Sequence, residues 1–189
     1  MLNERLELNC VSNYAERPSK LFEGAERNLS IFIGKINNNI EKGKTFTTYY
    51  YKWKAENRNF LFRIVSYIES TMCALDNIIP KLSNKNELLI EGKLDSLNRS
   101  IGSICIRSSN NVLYYKNSGG RYWKFMANFK PIFYLNGQLG TSSRETHLYF
   151  STQEDLKCVT AILNSDFYFW YYVMHSDART NNPSDLKCY

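Results

Sequence analysis

The sequence predicts a mixed α/β fold, and three observations support this prediction. Residues 29–36 form a short apolar run, and residues 45–53 are rich in β-branched and aromatic residues, as expected of strands. Short aromatic-rich runs alternate with turn residues between positions 103 and 150. Segments whose apolar residues have helical spacing precede and follow those runs. The 189 residues, 43% of them hydrophobic, suffice for one domain plus part of another.

The first part of the chain is predicted to hold two strands and one helix. The polar segment 37–44 joins the two strands, and a hairpin is the expected connection. The apolar residues that follow have the spacing of a buried helical stripe: Phe60, Leu61, Ile64, Val65, Ile68 and Met72. Pro80 marks the latest possible end of this helix. We place a domain boundary near residue 75.

Beyond Pro80 the chain is predicted to be rich in β-strands, with helices on either side. The spacing of Ile90, Leu94, Leu97 and Ile101 favours a short helix. Five short runs are predicted strands: 103–107, 111–116, 121–127, 132–135 and 146–150. Turn signals such as Asn136-Gly137 separate them. Residues 153–163 and 166–174 are predicted helices, and Pro183 is expected to close the helical pattern.

The net charge of +6 is unevenly distributed along the chain. No acidic residue lies between Ser96 and Arg144. The same stretch contains seven cationic residues: Arg99, Arg107, Lys116, Arg121, Lys124, Lys130 and Arg144. A long stretch of one sign creates a local positive field, which suits a polyanion such as DNA. The alternative is a solvated basic surface that has no partner.

Cysteine usage and hydropathy exclude several classes of protein. The five cysteines are scattered and include no Cys-x-x-Cys pair, a pattern typical of reduced cytoplasmic thiols and not of disulfides or zinc. With only two histidines, a metal site is not expected. No apolar run approaches the roughly 20 residues that span a bilayer, and the start of the chain is charged. We therefore expect a cytoplasmic location, no metal and no membrane partner.

The N-terminal region resembles a known family of enzymes. The loop Ser12-Asn-Tyr-Ala-Glu-Arg-Pro-Ser-Lys-Leu-Phe-Glu-Gly24 leads into the predicted strand 29–36, and a Thr-rich strand then ends in Lys52-Trp53. This order resembles the distal part of the methyltransferase domain in N6-adenine DNA methyltransferases of type II restriction–modification systems, including fused type IIG enzymes. The resemblance implies the last strands of a Rossmann-like sheet and a loop that holds a flipped adenine. Phe22 is the implied residue for stacking on that base, and filling the end of the sheet is its alternative role.

The C-terminal segment resembles the target-recognition domain of the same family. An aliphatic helix, Asn164-Ser165 and an aromatic helix are followed by Asp177-Ala-Arg179 and then by Asn182-Pro-Ser-Asp-Leu186. Arg179 or Asn181 is a candidate for contact with DNA. An ion pair between Asp177 and Arg179 is the alternative.

Cations and aromatic residues also alternate in Gly119-Gly-Arg-Tyr-Trp-Lys-Phe-Met126. On a strand, Arg121, Trp123 and Phe125 share one face, while Lys124 lies on the other. Such a mixture can serve phosphates and bases together. We expect Arg121 to read a base, because its planar fork suits guanine, and Lys124 to contact a phosphate. Alternatively, the aromatic residues form core and the cations only flank it.

The motifs that transfer the methyl group in that family are missing from this sequence. No Gly-x-Gly turn occurs, and the one Asn-Pro, Asn182-Pro183, lies far too late for the catalytic Asn-Pro-Pro-Tyr type motif. We therefore expect no catalytic residue and no cofactor in this chain, with S-adenosylmethionine bound by the complete enzyme. Residues 1–75 would complete a methyltransferase sheet. Residues 76–189 would form a target-recognition domain, incomplete at its C-terminus, that binds double-stranded DNA beside a missing N-terminal catalytic part.

Two other functions stay open at this point. One is a free-standing specificity or protein-interaction module that never contacts DNA. The other is a fragment of a magnesium-dependent nuclease, because Asp76 followed by Glu91-Gly-Lys93 is similar to the metal-binding arrangement of such enzymes. That site needs Glu91 and Lys93 on a strand, whereas the surrounding apolar spacing indicates a helix.

Overall fold

The computed structural model describes residues 6–36, 43–70, 78–97, 99–118 and 126–187. In these residues the chain is mixed α/β, which confirms the predicted fold class. It divides into two compact units, Met1–Leu97 (unit 1) and Asn98–Tyr189 (unit 2). The division falls beyond the predicted boundary near residue 75, because a helix that follows Pro80 groups with the first unit.

Unit 1 is built on a four-stranded sheet in the order β2-β1-β3-β4. Its strands are β1 (Leu6–Tyr14), β2 (Leu29–Ile36), β3 (Lys44–Tyr51) and β4 (Ile68–Ser70). The pairing of β1 is antiparallel with β2 and parallel with β3, and the pairing of β3 with β4 is antiparallel. Strands β2 and β3 agree with the two strands predicted from the sequence.

The central strand β1 was not predicted, and its position overturns one connection. β1 lies between β2 and β3, so these two strands are not partners and the expected hairpin across 37–44 is wrong. β1 lacks the continuous apolar pattern of an interior strand, because Asn9, Ser12 and Asn13 are polar and yet buried. A search for apolar runs therefore misses it.

The polar side chains of β1 are buried because neighbouring strands supply hydrogen bonds. The backbone N–H of Asn13 donates to Thr48 Oγ1 over 2.9 Å, and its side-chain amide donates to the Thr48 carbonyl over 2.8 Å. On the other side, Ser30 Oγ donates to Asn13 Oδ1 over 2.7 Å. The register between β1 and β3 shifts between Val11 and Asn13, so these bonds satisfy the polar groups at the irregularity.

Short helical turns and a strand replace the long helix predicted over residues 60–72. A 3-10 helix (Ala55–Phe60) leads into α1 (Leu61–Ile64), and Val65 is already extended. β-branched residues favour strands, and the chain continues as β4 against β3. Of the apolar residues in these turns only Leu61 is buried, whereas Phe60, Phe62 and Ile64 are exposed. The core of unit 1 consists of Tyr14, Leu21, Trp53, Leu61 and Val65. Residues 71–77 lie outside the described residues.

Helix α2 (Lys85–Asp95) contains the predicted Ile90 and Leu94 but begins earlier than their spacing indicates. Its first residue follows Asn84, whose side chain accepts hydrogen bonds from the N–H groups of Asn86 and Glu87 as an N-cap. Burial raises the pKa of Tyr49 on β3, and the negative charge of Glu87 on α2 adds to this shift.

Unit 2 is rich in β-strands and ends in helices, as predicted. A four-stranded sheet has the order β5-β10-β6-β7, and β8 and β9 form a separate two-stranded sheet. The strands are β5 (Cys105–Ile106), β6 (Asn111–Lys116), β7 (Met126–Ala127), β8 (Phe133–Leu135), β9 (Gln138–Gly140) and β10 (Glu145–Phe150). All of their pairings are antiparallel. Of these strands, β9 was not among the predicted ones.

The helices of unit 2 are α3 (Ile101–Ile104), α4 (Gln153–Leu163), α5 (Asp166–His175) and α6 (Pro183–Lys187). α4 and α5 agree with the sequence prediction, and α4 packs on the four-stranded sheet. Pro183 begins a helix, so the expectation that it closes the helical pattern is wrong. Proline suits the first turn of a helix, where the missing N–H would have no partner.

Leu113 and Leu135 provide a matched test of this core. Leu113 is fully buried on β6, whereas Leu135 on β8 is largely exposed. We expect Leu113→Ala to lower the free energy of unfolding by about 2–5 kcal/mol, because it leaves a cavity in the sheet–helix interface. Leu135→Ala should change it by less than about 0.5 kcal/mol. Urea unfolding of both variants measures the difference, and equal midpoints would contradict this core.

Candidate nucleic-acid interface

Phe22 is exposed on the segment between β1 and β2. Its side chain is 60% exposed, whereas the neighbouring Leu21 is buried in the core of unit 1. Leu21 therefore performs the packing role that was the alternative for Phe22. An exposed aromatic ring beside a buried anchor is available to stack on another ring.

Arg58 of the 3-10 helix holds the chain next to Phe22. Its guanidinium donates to the carbonyls of Lys20 over 3.1 Å and Leu21 over 2.9 Å. The same guanidinium lies 5.4 Å from the centre of the Trp53 ring, within the range of a cation–π interaction. On the other side of Phe22, the left-handed backbone of Gly24 turns the chain. The loop thus presents Phe22 from a fixed backbone.

Two backbone hydrogen bonds of Asn117 join three segments at one end of the large sheet of unit 2. Its N–H donates to the Arg144 carbonyl over 3.0 Å, and its carbonyl accepts from the Asn181 N–H over 2.8 Å. Lys116 precedes Asn117, and it pairs across the sheet with Glu145. Lys116, Arg144 and Arg179 therefore come to the same end of the sheet, which we call the basic end. Lys116 and Arg144 are exposed, and Arg179 is half-buried.

Glu145, the acidic residue that closes the acid-free stretch, is the cross-strand partner of Lys116. The side chain of Glu145 is only 15% exposed, and its carboxylate lies 3.1 Å from His147 Nε2. The remaining acidic residues of unit 2 lie at position 154 or later in the chain. One of these, the exposed Asp177, lies two residues from Arg179, so the basic end combines its three cations with a nearby carboxylate.

Asn181 is a structural residue, and its burial gives no support to the expected contact with DNA. Its side chain is fully buried. The Tyr168 hydroxyl donates to Asn181 Oδ1 over 3.3 Å, and the Asn181 amide lies 3.9 Å from Met126 Sδ. With its backbone bonded to Asn117, Asn181 ties the basic end to the core.

Asp177 fixes the turn that carries Arg179. Its Oδ1 accepts hydrogen bonds from the backbone N–H groups of Arg179 and Thr180, each over 2.8 Å. Its Oδ2 accepts from the Thr180 hydroxyl over 2.8 Å. The Asp177 carboxylate thus binds the backbone of Arg179, in addition to the side-chain ion pair that was the alternative to DNA contact.

The other predicted cations have different positions. Arg107 directly follows β5, Arg99 precedes α3, and Lys130 lies between β7 and β8; all three are exposed. The described contacts do not bring them to the basic end. Arg121 and Lys124 lie outside the described residues, so their assignment to a base and a phosphate stays a prediction.

The nuclease hypothesis gains no support from the described residues. Glu91 and Lys93 lie on helix α2 and not on a strand, while Asp76 lies outside the described residues. Among the residues that the structure describes, no cluster of three or more His, Cys, Asp or Glu could hold a metal ion. In the same residues, no helix is long and apolar enough to cross a membrane.

Comparisons of the chain with protein-family models, with curated proteins and with solved structures found no match. The residues and the geometry of this chain therefore carry the functional assignment.

Sequence reasoning missed the residues of the β8–β9 sheet as a possible binding surface. Tyr134, Leu135 and Leu139 are all largely exposed there. The signal was present, because Asn136-Gly137 between two short runs is typical of a tight hairpin. A single sequence does not predict that these apolar side chains are exposed.

Two buried tyrosines lie below the basic end. Burial raises the pKa of Tyr115 to about 12, and the nearby Asp185 and Cys105 add to the shift. Burial also raises the pKa of Tyr168 above its ordinary value, with Tyr172 contributing. Among the described residues, the Tyr115 hydroxyl has no hydrogen-bond partner. Both phenols therefore belong to the core in their neutral form.

Arg58→Ala should loosen the Phe22 loop. The substitution removes two hydrogen bonds to the loop carbonyls and the contact with Trp53. We expect faster backbone hydrogen exchange in residues 19–24 and a loss of stability of about 1–3 kcal/mol. Arg63→Ala, at an exposed arginine of α1, is the matched control. If the two variants exchange at the same rate in this segment, Arg58 does not hold the loop.

Unit 2 should lose stability in alkaline solution. The unfolded chain releases the Tyr115 proton near pH 10, whereas the folded chain holds it to about pH 12. Stability is therefore complete below about pH 10 and is lost as the pH rises through about 12. Tyr115→Phe should reduce this loss without lowering stability at pH 7, because the buried hydroxyl has no partner.

Urea midpoints between pH 7 and 11 measure this effect. Tyr134→Phe, at an exposed tyrosine, is the control and should behave like the unmodified chain. An alkaline loss that is as large in Tyr115→Phe as in the control would contradict the assignment to Tyr115.

Proposed function

We propose that this chain is the DNA-binding, target-recognition portion of a restriction–modification N6-adenine DNA methyltransferase. Its catalytic motifs and its S-adenosylmethionine site would lie in a separate N-terminal part of the enzyme. The chain would position double-stranded DNA for methylation in the cytoplasm. Two separate resemblances, in residues 12–54 and in residues 159–186, occur in the chain order that this family implies.

The observation that carries the proposal is the exposed positive charge of unit 2. Ten residues of this unit are Lys or Arg and six are Asp or Glu. The described cations of the acid-free stretch are all exposed: Arg99, Arg107, Lys116, Lys130 and Arg144. Duplex DNA is a dense line of negative charge, and cations that neutralise its phosphates release counterions. An exposed basic surface on a β-rich unit suits this partner.

The Phe22 loop supports the methyltransferase assignment of unit 1. Enzymes that modify a base extrude it from the helix and hold it between aromatic or apolar side chains. Phe22 is exposed, and Arg58 and Leu21 fix the backbone beside it. In this proposal the sheet of unit 1 continues a Rossmann-like sheet whose other strands belong to the catalytic part. The parallel pairing of β1 with β3 is compatible with that role.

The exposed edge strand β2 supports a partner for unit 1. β2 is an edge strand of the sheet among the described residues, and Phe32, Ile33 and Ile36 on it are exposed. An edge strand with apolar side chains exposed in this way is suited to pairing or packing with another chain. The proposed catalytic part would provide that cover. A protein-interaction module without DNA contact would use the same strand. Measurement of DNA binding distinguishes the two functions.

Salt-dependent binding of duplex DNA tests the proposal. Fluorescence anisotropy with a labelled duplex between about 50 and 200 mM salt should show a steep loss of affinity. Lys116→Ala and Arg144→Ala should each weaken binding to all sequences and lower the logarithmic salt slope by about one unit. Arg121→Ala should instead cost about 1–3 kcal/mol on a cognate site in the complete enzyme, and Lys124→Ala should act like a phosphate contact.

Lys157→Ala is the matched control, because Lys157 is exposed on α4, outside the acid-free stretch. It should leave the slope unchanged. If the full chain does not bind duplex DNA at low salt, or if Lys116→Ala and Arg144→Ala match this control, the proposed function is wrong.

A further inference from the structure

Strands β8 and β9 form a narrow antiparallel ribbon in unit 2. They pair as Phe133 with Gly140, Tyr134 with Leu139 and Leu135 with Gln138. Asn136 and Gly137 connect them with φ angles of 52° and 78°, as in a tight two-residue hairpin turn. In the described part of the chain, the ribbon pairs with no third strand. Its two outer edges are therefore not paired with other described strands.

Both faces of the ribbon carry exposed apolar side chains. Leu135 and Gln138 are direct partners and share one face, while Tyr134 and Leu139 share the other. Ile132, Tyr134, Leu135 and Leu139 are between 62% and 75% exposed. A two-stranded ribbon is only marginally stable as an isolated structure in water. The exposed apolar residues on both of its faces therefore indicate contact with a partner.

The charge around the ribbon indicates the nature of its partner. Residues 96–144 contain no carboxylate, and the ribbon lies within this stretch. Exposed Lys130 precedes the ribbon and exposed Arg144 follows it. The acidic side chains of unit 2 all follow the ribbon in the sequence: Glu145, Glu154, Asp155, Asp166, Asp177 and Asp185. An apolar ribbon with cations before and after it complements a partner that has phosphates beside an apolar surface.

The major groove of duplex DNA has this combination, and it is wide enough for a two-stranded β-ribbon. In the groove, adenine presents N7 as an acceptor and its amino group as a donor, and one Gln or Asn amide can bind both groups at once. Thymine presents a methyl group, which binds apolar side chains. Leu135 and Gln138 place an apolar side chain and an amide side by side on one face of the ribbon.

We propose that the β8–β9 ribbon enters the major groove and reads an A·T base pair. The Gln138 amide binds adenine, and the Leu135 side chain contacts the thymine methyl group. Lys130 and Arg144 bind phosphates on either side of the groove. This inference rests on the proposed function, since it requires that unit 2 binds duplex DNA.

Selection from a duplex library tests the inference. The full 189-residue chain is used to enrich duplexes of about 30 base pairs that contain about 12 random positions. In the enriched duplex, each thymine is replaced in turn by uracil, which removes the methyl group. Each adenine is replaced in turn by 7-deazaadenine, which removes the N7 acceptor. Binding of every duplex is measured with the unmodified chain and with Leu135→Ala, Gln138→Ala and Leu139→Ala.

We expect one A·T pair at which uracil weakens binding of the unmodified chain about 3- to 10-fold. At that pair, 7-deazaadenine should weaken binding roughly 5- to 100-fold. Leu135→Ala should be insensitive to uracil, and Gln138→Ala should be insensitive to 7-deazaadenine. Leu139→Ala removes the same atoms as Leu135→Ala, but from the opposite face, and should keep both sensitivities. Because all three residues are exposed, unchanged urea midpoints verify that the variants are folded.

Two results would overturn the inference while leaving the proposed function intact. These are an enriched duplex insensitive to both base analogues, and variants that keep both sensitivities. Salt-dependent binding without any enriched sequence would overturn the inference together with the target-recognition role. A ribbon that serves protein contacts would produce one of these results together with altered self-association of Leu135→Ala in sedimentation. Absence of salt-dependent duplex binding by the unmodified chain would instead overturn the proposed function itself.

Discussion

The hydrogen bonds of Asn117 and Asn181 organise the candidate interface of unit 2. Asn117 joins the end of β6 to the residue before β10 and to the segment that follows α5. The buried side chain of Asn181 then connects this point to Tyr168 and Met126 in the core. Buried polar groups are costly unless they are paired, so these bonds restrict the end of the sheet to one arrangement. The positions of Lys116 and Arg144 depend on that arrangement.

Unit 1 applies the same principle to its central strand. Asn13 is buried because Thr48 and Ser30 satisfy its polar groups where the register of β1 and β3 shifts. Beyond β1, Leu21 and Arg58 hold the loop, and Phe22 is left exposed between them. In both units, a buried polar or apolar residue lies close in the chain to the exposed candidate residue. Exposed residues on fixed backbones lose little freedom when they bind, which favours recognition.

Local patterns in the sequence were sufficient for elements that obey one period. β2, β3, β6, α4 and α5 were predicted because their apolar residues or their β-branched and aromatic content have a clear signature. β1 failed this test because its buried residues include Asn9, Ser12 and Asn13, whose burial depends on partners distant in sequence. The helix predicted over 60–72 failed because pairing of Ile68 with Thr47 competes with helical spacing. A single sequence does not show which distant residues will pair with β1 or with Ile68.

The sequence by itself determined the fold class, most strands and helices of unit 2, and the acid-free stretch, because composition and periodicity are local properties. Only the tertiary structure decided which candidates lie on the surface. Asn181 and Phe22 were equal candidates on sequence grounds, but Asn181 is fully buried and Phe22 is 60% exposed. Likewise, Lys116 and Arg144 meet at one end of a sheet because β6 and β10 pair in antiparallel. Burial and proximity arise from contacts between distant residues, and these contacts exist only once the chain has folded.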